Sequence, residues 1–147
     1  MSDPLATVRT MQSKHWCELQ ISDHRKPMSE TLADYARPLT EQLPPDYTAE
    51  ELKATMTFAA WVWNAVGIDH VRNAVVYLST KMPPRLRVRA PKALAVVRRM
   101  LTRKHELFGE DHRLVMDVDV YLEGTKLRVK AIGLGPNPDF SNPKARA

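Results

Sequence analysis

The sequence predicts an α+β domain, with about four helices packed on a C-terminal antiparallel β-hairpin and a third, N-terminal strand as a possible addition. Two patterns carry this expectation. Apolar residues recur at helical spacing in successive segments between residues 29 and 108, each closed by Pro or Gly, and from Leu114 onward the period changes to two. A chain of 147 residues, 44% hydrophobic and 27% charged, suits one soluble domain with a real core.

The first helix is expected over residues 29–43, with Ser29 as its cap and Leu32, Tyr35, Ala36, Leu39 and Leu43 as its apolar stripe. Pro38 should kink it, because the ring lacks an N–H and clashes one turn back. Pro44 and Pro45 end it. Thr48 with Glu51 three positions on is a capping box that opens the second helix, residues 49–66. The second half of that helix, from Phe58 to Val66, is apolar nearly all round and so should be covered on most sides. Within it Asn64 is the one polar side chain, and if buried it needs partners. Gly67 is expected as a left-handed helix stop. The third helix should run over residues 69–80 with Asp69 as cap and Val71, Ala74, Val75 and Leu78 inward. Residues 85–89 alternate basic and apolar, as a short edge strand or a linker would. Pro91 suits the first turn of a fourth helix ending at Gly109.

The hairpin is the sharpest local signal. Gly124-Thr125 forms a two-residue loop with Gly first, the signature of a type II′ turn. That loop sets Glu123 opposite Lys126, Tyr121 opposite Arg128 and Asp119 opposite Lys130 on one face, and Leu122 opposite Leu127 and Val120 opposite Val129 on the other. The period-two reading places Leu114, Met116, Val118, Val120 and Leu122 together, and Val115 with Asp117 and Asp119 on the polar face. Residues 1–27 read as a partly disordered extension, 28–134 as the domain and 135–147 as a disordered tail; a short strand is possible over residues 15–22.

Composition excludes several function classes. One cysteine makes no internal disulfide and no Cys-rich zinc site, no apolar run approaches a membrane span, and no secretory pattern opens the chain, so the expected compartment is the cytoplasm. No Gly-rich phosphate loop is present: Gly133 and Gly135 lead into a Pro-rich tail, not a helix. Neither cofactor nor metal is expected.

The formal net charge of +5 is unevenly laid out. Residues 81–104 carry nine basic side chains and no acid, whereas residues 28–80 carry three basic and seven acidic ones. Lys81, Arg85, Arg87, Arg89, Lys92, Arg98, Arg99, Arg103 and Lys104 thus make a candidate polyanion-binding ridge. The partner is expected to be nucleic acid or an acidic protein; docking of the acidic half of one copy on the basic half of another is a third option. The segment has no interleaved aromatics, so stacking on single-stranded bases is not indicated. A solvated helix face is the plain alternative.

An enzymatic alternative, a small hydrolase or nuclease-like protein, centres on His105, Glu110, Asp111 and His112, with Asp117 nearby. A second His at zincin spacing is missing, and a polar turn after a helix accounts for the same residues. Asp117 and Asp119 beside Lys126 and Lys130 resemble a magnesium nuclease pattern, but cross-strand pairing explains them. His15 and Cys17 share a face in an extended segment, without a third orienting group. Trp61 and Trp63 with Phe58 read as core before they read as a ligand pocket.

The Val62-Trp63-Asn64-Ala65-Val66 block, the Arg103-Lys104-x-x-Leu107-Phe108-x-x-Asp111-His112-Arg113 block and the Met28-Ser29-Glu30-Thr31-Leu32 opening resemble a group of small uncharacterised bacterial proteins, some with a Cys-rich zinc-binding SEC-C tail. The resemblance spans residues 28–131 and implies a bacterial cytoplasmic protein. It implies no activity, and no zinc, because the Cys-rich tail is missing here.

Overall fold

Apolar side chains on five helical segments and one hairpin converge on a single core, giving an α+β fold. The computed structural model describes residues 26–135. The His15/Cys17 couple, the N-terminal strand and the tail lie outside the described residues.

The helices are α1 (Met28–Tyr35), α2 (Arg37–Thr40), α3 (Ala49–Trp63), α4 (Ile68–Val76) and α5 (Ala90–Phe108). Between α4 and α5 lie a π-helical turn, Tyr77–Lys81, and a 3-10 turn, Pro84–Leu86. Strands β1 (Leu114–Glu123) and β2 (Lys126–Leu134) form the two-stranded antiparallel sheet.

Several boundaries differ from the sequence expectation, each for a local reason. Pro38 divides the first helix instead of kinking it: α1 closes on Ala36, and Pro38 sits in the first turn of α2, where its missing N–H costs nothing. Ser29 is not a cap; its hydroxyl accepts from the Ala131 N–H at 2.8 Å and donates to the Ala131 carbonyl at 3.2 Å. Gly67 is extended, φ −165°, and precedes α4, so it serves no left-handed stop, and Asp69 lies inside the first turn of α4. Residues 85–89 form the 3-10 turn and a linker, not a strand. The Thr48–Glu51 capping box forms in both directions.

Helix α3 is central: β1, α5, α4 and α1 all pack on it, while β2 rests on α1. Met56, Phe58, Ala59 and Val62 of α3 meet Leu32 and Tyr35 of α1, Val97 and Met100 of α5 and Ala131 of β2 in the core. Tyr35, Trp63 and Phe108 form an edge-on trio with ring centroids 5.2–5.7 Å apart. The Tyr35 hydroxyl donates to the Met100 carbonyl at 2.8 Å, and burial raises its pKa. Trp61 departs from the expected all-round covering of α3: it is 42% exposed and packs on Tyr77.

The hairpin register is the one the Gly124-Thr125 loop implies, from Glu123↔Lys126 through Asp119↔Lys130. Gly124 has φ +66°, a left-handed conformation that favours glycine. The phase of the apolar face is not the expected one near the root. A β-bulge between Val115 and Asp117 inserts Met116 as an unpaired residue. Before the bulge Val115 faces the core and Leu114 is exposed; after it Val118 and Val120 face inward. One extra residue reverses a period of two, which is why Met116 ends 58% exposed.

Candidate functional site

Both root edges of the hairpin are closed by helix side chains. Asn64, the C-cap of α3, donates Nδ2–H to the Val115 carbonyl at 2.9 Å and accepts from the Val115 N–H at 2.8 Å. Its amide thereby imitates the neighbouring strand that β1 lacks. Ser29 does the same for β2 at Ala131. Farther along β1 the Val118 and Val120 amides donate to the side chains of Asp117 and Asp119 at 2.9 and 2.8 Å. The two aspartates therefore cap and charge an open strand edge, a known protection against strand-to-strand aggregation. Asp119 also lies 3.6 Å from Lys53 of α3, and Glu123 pairs with Arg128. Asp117 and Asp119, the acids reminiscent of a magnesium nuclease, thus have edge-capping roles. Lys126 and Lys130 stand opposite Glu123 and Asp119 in register but make no ion pair with them, because those acids meet Arg128 and Lys53 instead.

The turn after α5 divides the candidate His and carboxylate cluster. Asp111 is buried and meets Arg113 in a two-pronged pair at 2.6 and 2.9 Å. Arg113, also buried, donates further to the Lys26 carbonyl and the Thr31 hydroxyl, while its own carbonyl accepts from Trp63 Nε1 at 2.7 Å. His105, Glu110 and His112 stay exposed. Among the described residues no three His, Cys, Asp or Glu side chains gather around a point that a metal ion would occupy.

The nine cations of the basic segment fall into two groups. Four are engaged within the fold. Arg85 forks onto Glu51 at 2.6 and 2.8 Å and reaches Asp46 at 3.1 Å. Its guanidinium, with the Thr48 amide, holds the Glu51 carboxyl at about 2, well below the usual carboxylate range. Arg87 Nε donates to the Met82 carbonyl at 2.7 Å. Arg103 caps the end of α1 through the Asp34 and Tyr35 carbonyls, at 2.7 and 2.9 Å, so it does not lie on the solvated face where the helical spacing puts it. Lys104 sits 4.3 Å over the Trp63 ring and donates to the Asp111 carbonyl; burial lowers its pKa.

The other five, Lys81, Arg89, Lys92, Arg98 and Arg99, are exposed and have no ion pair or hydrogen-bond partner among the described residues. Arg89 occupies the N-cap position of α5 without a side-chain cap hydrogen bond, and Lys92, Arg98 and Arg99 are exposed along the helix. The rise from Lys92 to Arg99 is about 10 Å at helical spacing. No acid occupies the first turn of α5, and the positive end of the helix dipole disfavours the two cations there. Helix stability does not account for Arg89 and Lys92. No single sequence position distinguishes the two groups, because the partners of Arg85, Arg103 and Lys104 come from remote segments. Comparison of the chain with family models, with curated proteins and with solved structures returns no match.

Proposed function

We propose that the chain is a non-enzymatic binding protein that takes nucleic acid through the phosphate backbone. The observation that carries this reading is the set of four unpartnered cations, Arg89, Lys92, Arg98 and Arg99, along α5. Arg89 and Lys92 stand at the helix end where the dipole opposes cations, and a polyanion offsets that cost. Nucleic acid is favoured over an acidic copy of the same chain because part of the acidic half, Asp46 and Glu51, is already satisfied by Arg85. No helix among the described residues is long and apolar enough to cross a membrane.

Four phosphate contacts set the expected salt dependence. At about 0.9 counterions released per contact, log affinity falls with log salt at a slope near −3.6, or ~150-fold between about 50 and about 200 mM. The test is fluorescence anisotropy with random-sequence duplex oligonucleotides across that range; single strands give a shallower slope, near −2.8 at about 0.7 counterions per contact. The double variant Arg98→Ala/Arg99→Ala should weaken binding across sequences and flatten the slope by about 2. Absence of binding at low salt, or a slope unaffected by the double variant, would refute the reading.

A further inference from the structure

On α3 the side chains Glu50, Lys53, Thr57 and Trp61 follow one another at spacings of three and four, forming one row along the helix. The first three line an open groove of about 380 Å³, whose opposite wall is built from Tyr77 and Lys81 of the π-helical turn and from Pro83, Pro84 and Arg87. Trp61 stands beside the groove, its ring 4.7 Å from that of Tyr77. The π turn, closed by the Met82 N–H on the Tyr77 carbonyl at 3.1 Å, is a rare conformation that recurs at functional sites.

The groove combines flat apolar walls with cations. Tyr77 and the two prolines supply the walls, and Thr57 adds a hydroxyl. Lys81 has no partner among the described residues. Arg87 is anchored through Nε on the Met82 carbonyl, which leaves its terminal guanidinium nitrogens for a ligand. Lys53 is shared with Asp119 at 3.6 Å, and Glu50 is the acid in the lining. The basic segment has no aromatic of its own; Tyr77 precedes it in the same π-helical turn as Lys81, and the fold brings Trp61 beside Tyr77 from α3. From Arg87 the chain passes directly to Arg89 and Lys92 of the α5 face.

We propose that this groove holds a nucleotide of a single strand, its base against Tyr77 and its phosphate on Lys81 and Arg87, with the strand continuing along Arg89, Lys92 and Arg99. The inference rests on the nucleic-acid reading and narrows it. A duplex hides its base faces in the stack, whereas a single strand offers them to an aromatic ring, and base-ring stacking tolerates any sequence. RNA and DNA share this chemistry.

The test uses the full chain with a labelled mixed-sequence strand of roughly 12 nucleotides, as DNA, as RNA and as the matching duplex. The single strands should bind at least about tenfold more tightly than the duplex, within the range that one or two stacked bases supply. Lys81→Ala, at an exposed position without partners, should weaken single-strand binding several-fold. Tyr77→Leu, with its fold checked by circular dichroism, should weaken it about tenfold and leave duplex binding unchanged. Preference for one sugar supports the inference and names the source. If Arg98→Ala/Arg99→Ala weakens binding while Lys81→Ala and Tyr77→Leu do not, the groove is overturned and the α5 reading stands. If the wild-type chain binds no nucleic acid at low salt, both fall.

Discussion

Replacing Asn64 by Ala removes the two hydrogen bonds that hold the root of β1 on α3 and leaves the Val115 N–H and carbonyl without partners in a half-buried place. At about 1 kcal/mol net for each bond the loss is about 2 kcal/mol. The backbone does not confuse the comparison: Asn64 has φ −82° and ψ −4°, ordinary helical values that Ala adopts freely. Ala is also the better helix former, so any loss belongs to the amide side chain. For a domain of this size 2 kcal/mol lowers the melting temperature by about 8 °C. Asn64→Asp sharpens the test. At neutral pH its carboxylate accepts from the Val115 N–H but repels the Val115 carbonyl. Once protonated, below about pH 4, it donates an O–H and restores both bonds. Thermal melts of both variants between pH 3 and pH 7 give the readout, the Asp variant gaining on the Ala variant as pH falls. A melting temperature for Asn64→Ala within about 2 °C of wild type would refute the reasoning, as would parallel pH profiles for the two variants.

Arg113→Met removes the guanidinium from a buried pair and should cost about 3–5 kcal/mol in a urea melt, more than any surface cation of α5. Gly133→Ala places a Cβ 2.8–2.9 Å from the buried Met28 side chain, so one strand or helix must shift; a destabilisation of about 1–3 kcal/mol by the same melt is expected. The Glu51 carboxyl, held at about 2 chiefly by its hydrogen bonds to Arg85, binds its proton more weakly in the fold than in the open chain. Its stabilisation is therefore full above about pH 5 and declines as pH falls through 4.5 toward 2. Glu51→Gln should lose that share of the acid slope in melting temperature, while wild type keeps it.

Local signals placed the strongest elements. The Thr48–Glu51 box and the Gly124-Thr125 loop act within four residues, so their outcome depends on near neighbours alone. The bulge at Met116 was illegible because it answers to a remote residue: Asn64 takes both polar groups of Val115, the core takes its side chain, and the strand must insert one residue to regain phase. The polarity of Asn64 marked it as needing a partner, but nothing near it in sequence named Val115.

Charge and hydrophobic period in the sequence alone determined that this is an α+β chain with a paired hairpin and a cationic stretch at residues 81–104, because both are counts over contiguous residues. Only the tertiary structure decided which of those cations are spent. Arg85, Arg103 and Lys104 meet Glu51, the end of α1 and Trp63 across the fold, while Arg89, Lys92, Arg98 and Arg99 meet nothing described. The same folding turned Asp111 inward onto Arg113 and left His105, Glu110 and His112 exposed. It also set the ring of Tyr77 across from Lys53 and Thr57 of α3 in a groove that also holds Lys81 and Arg87. Partners distant in sequence are chosen by packing, and no local pattern encodes that choice.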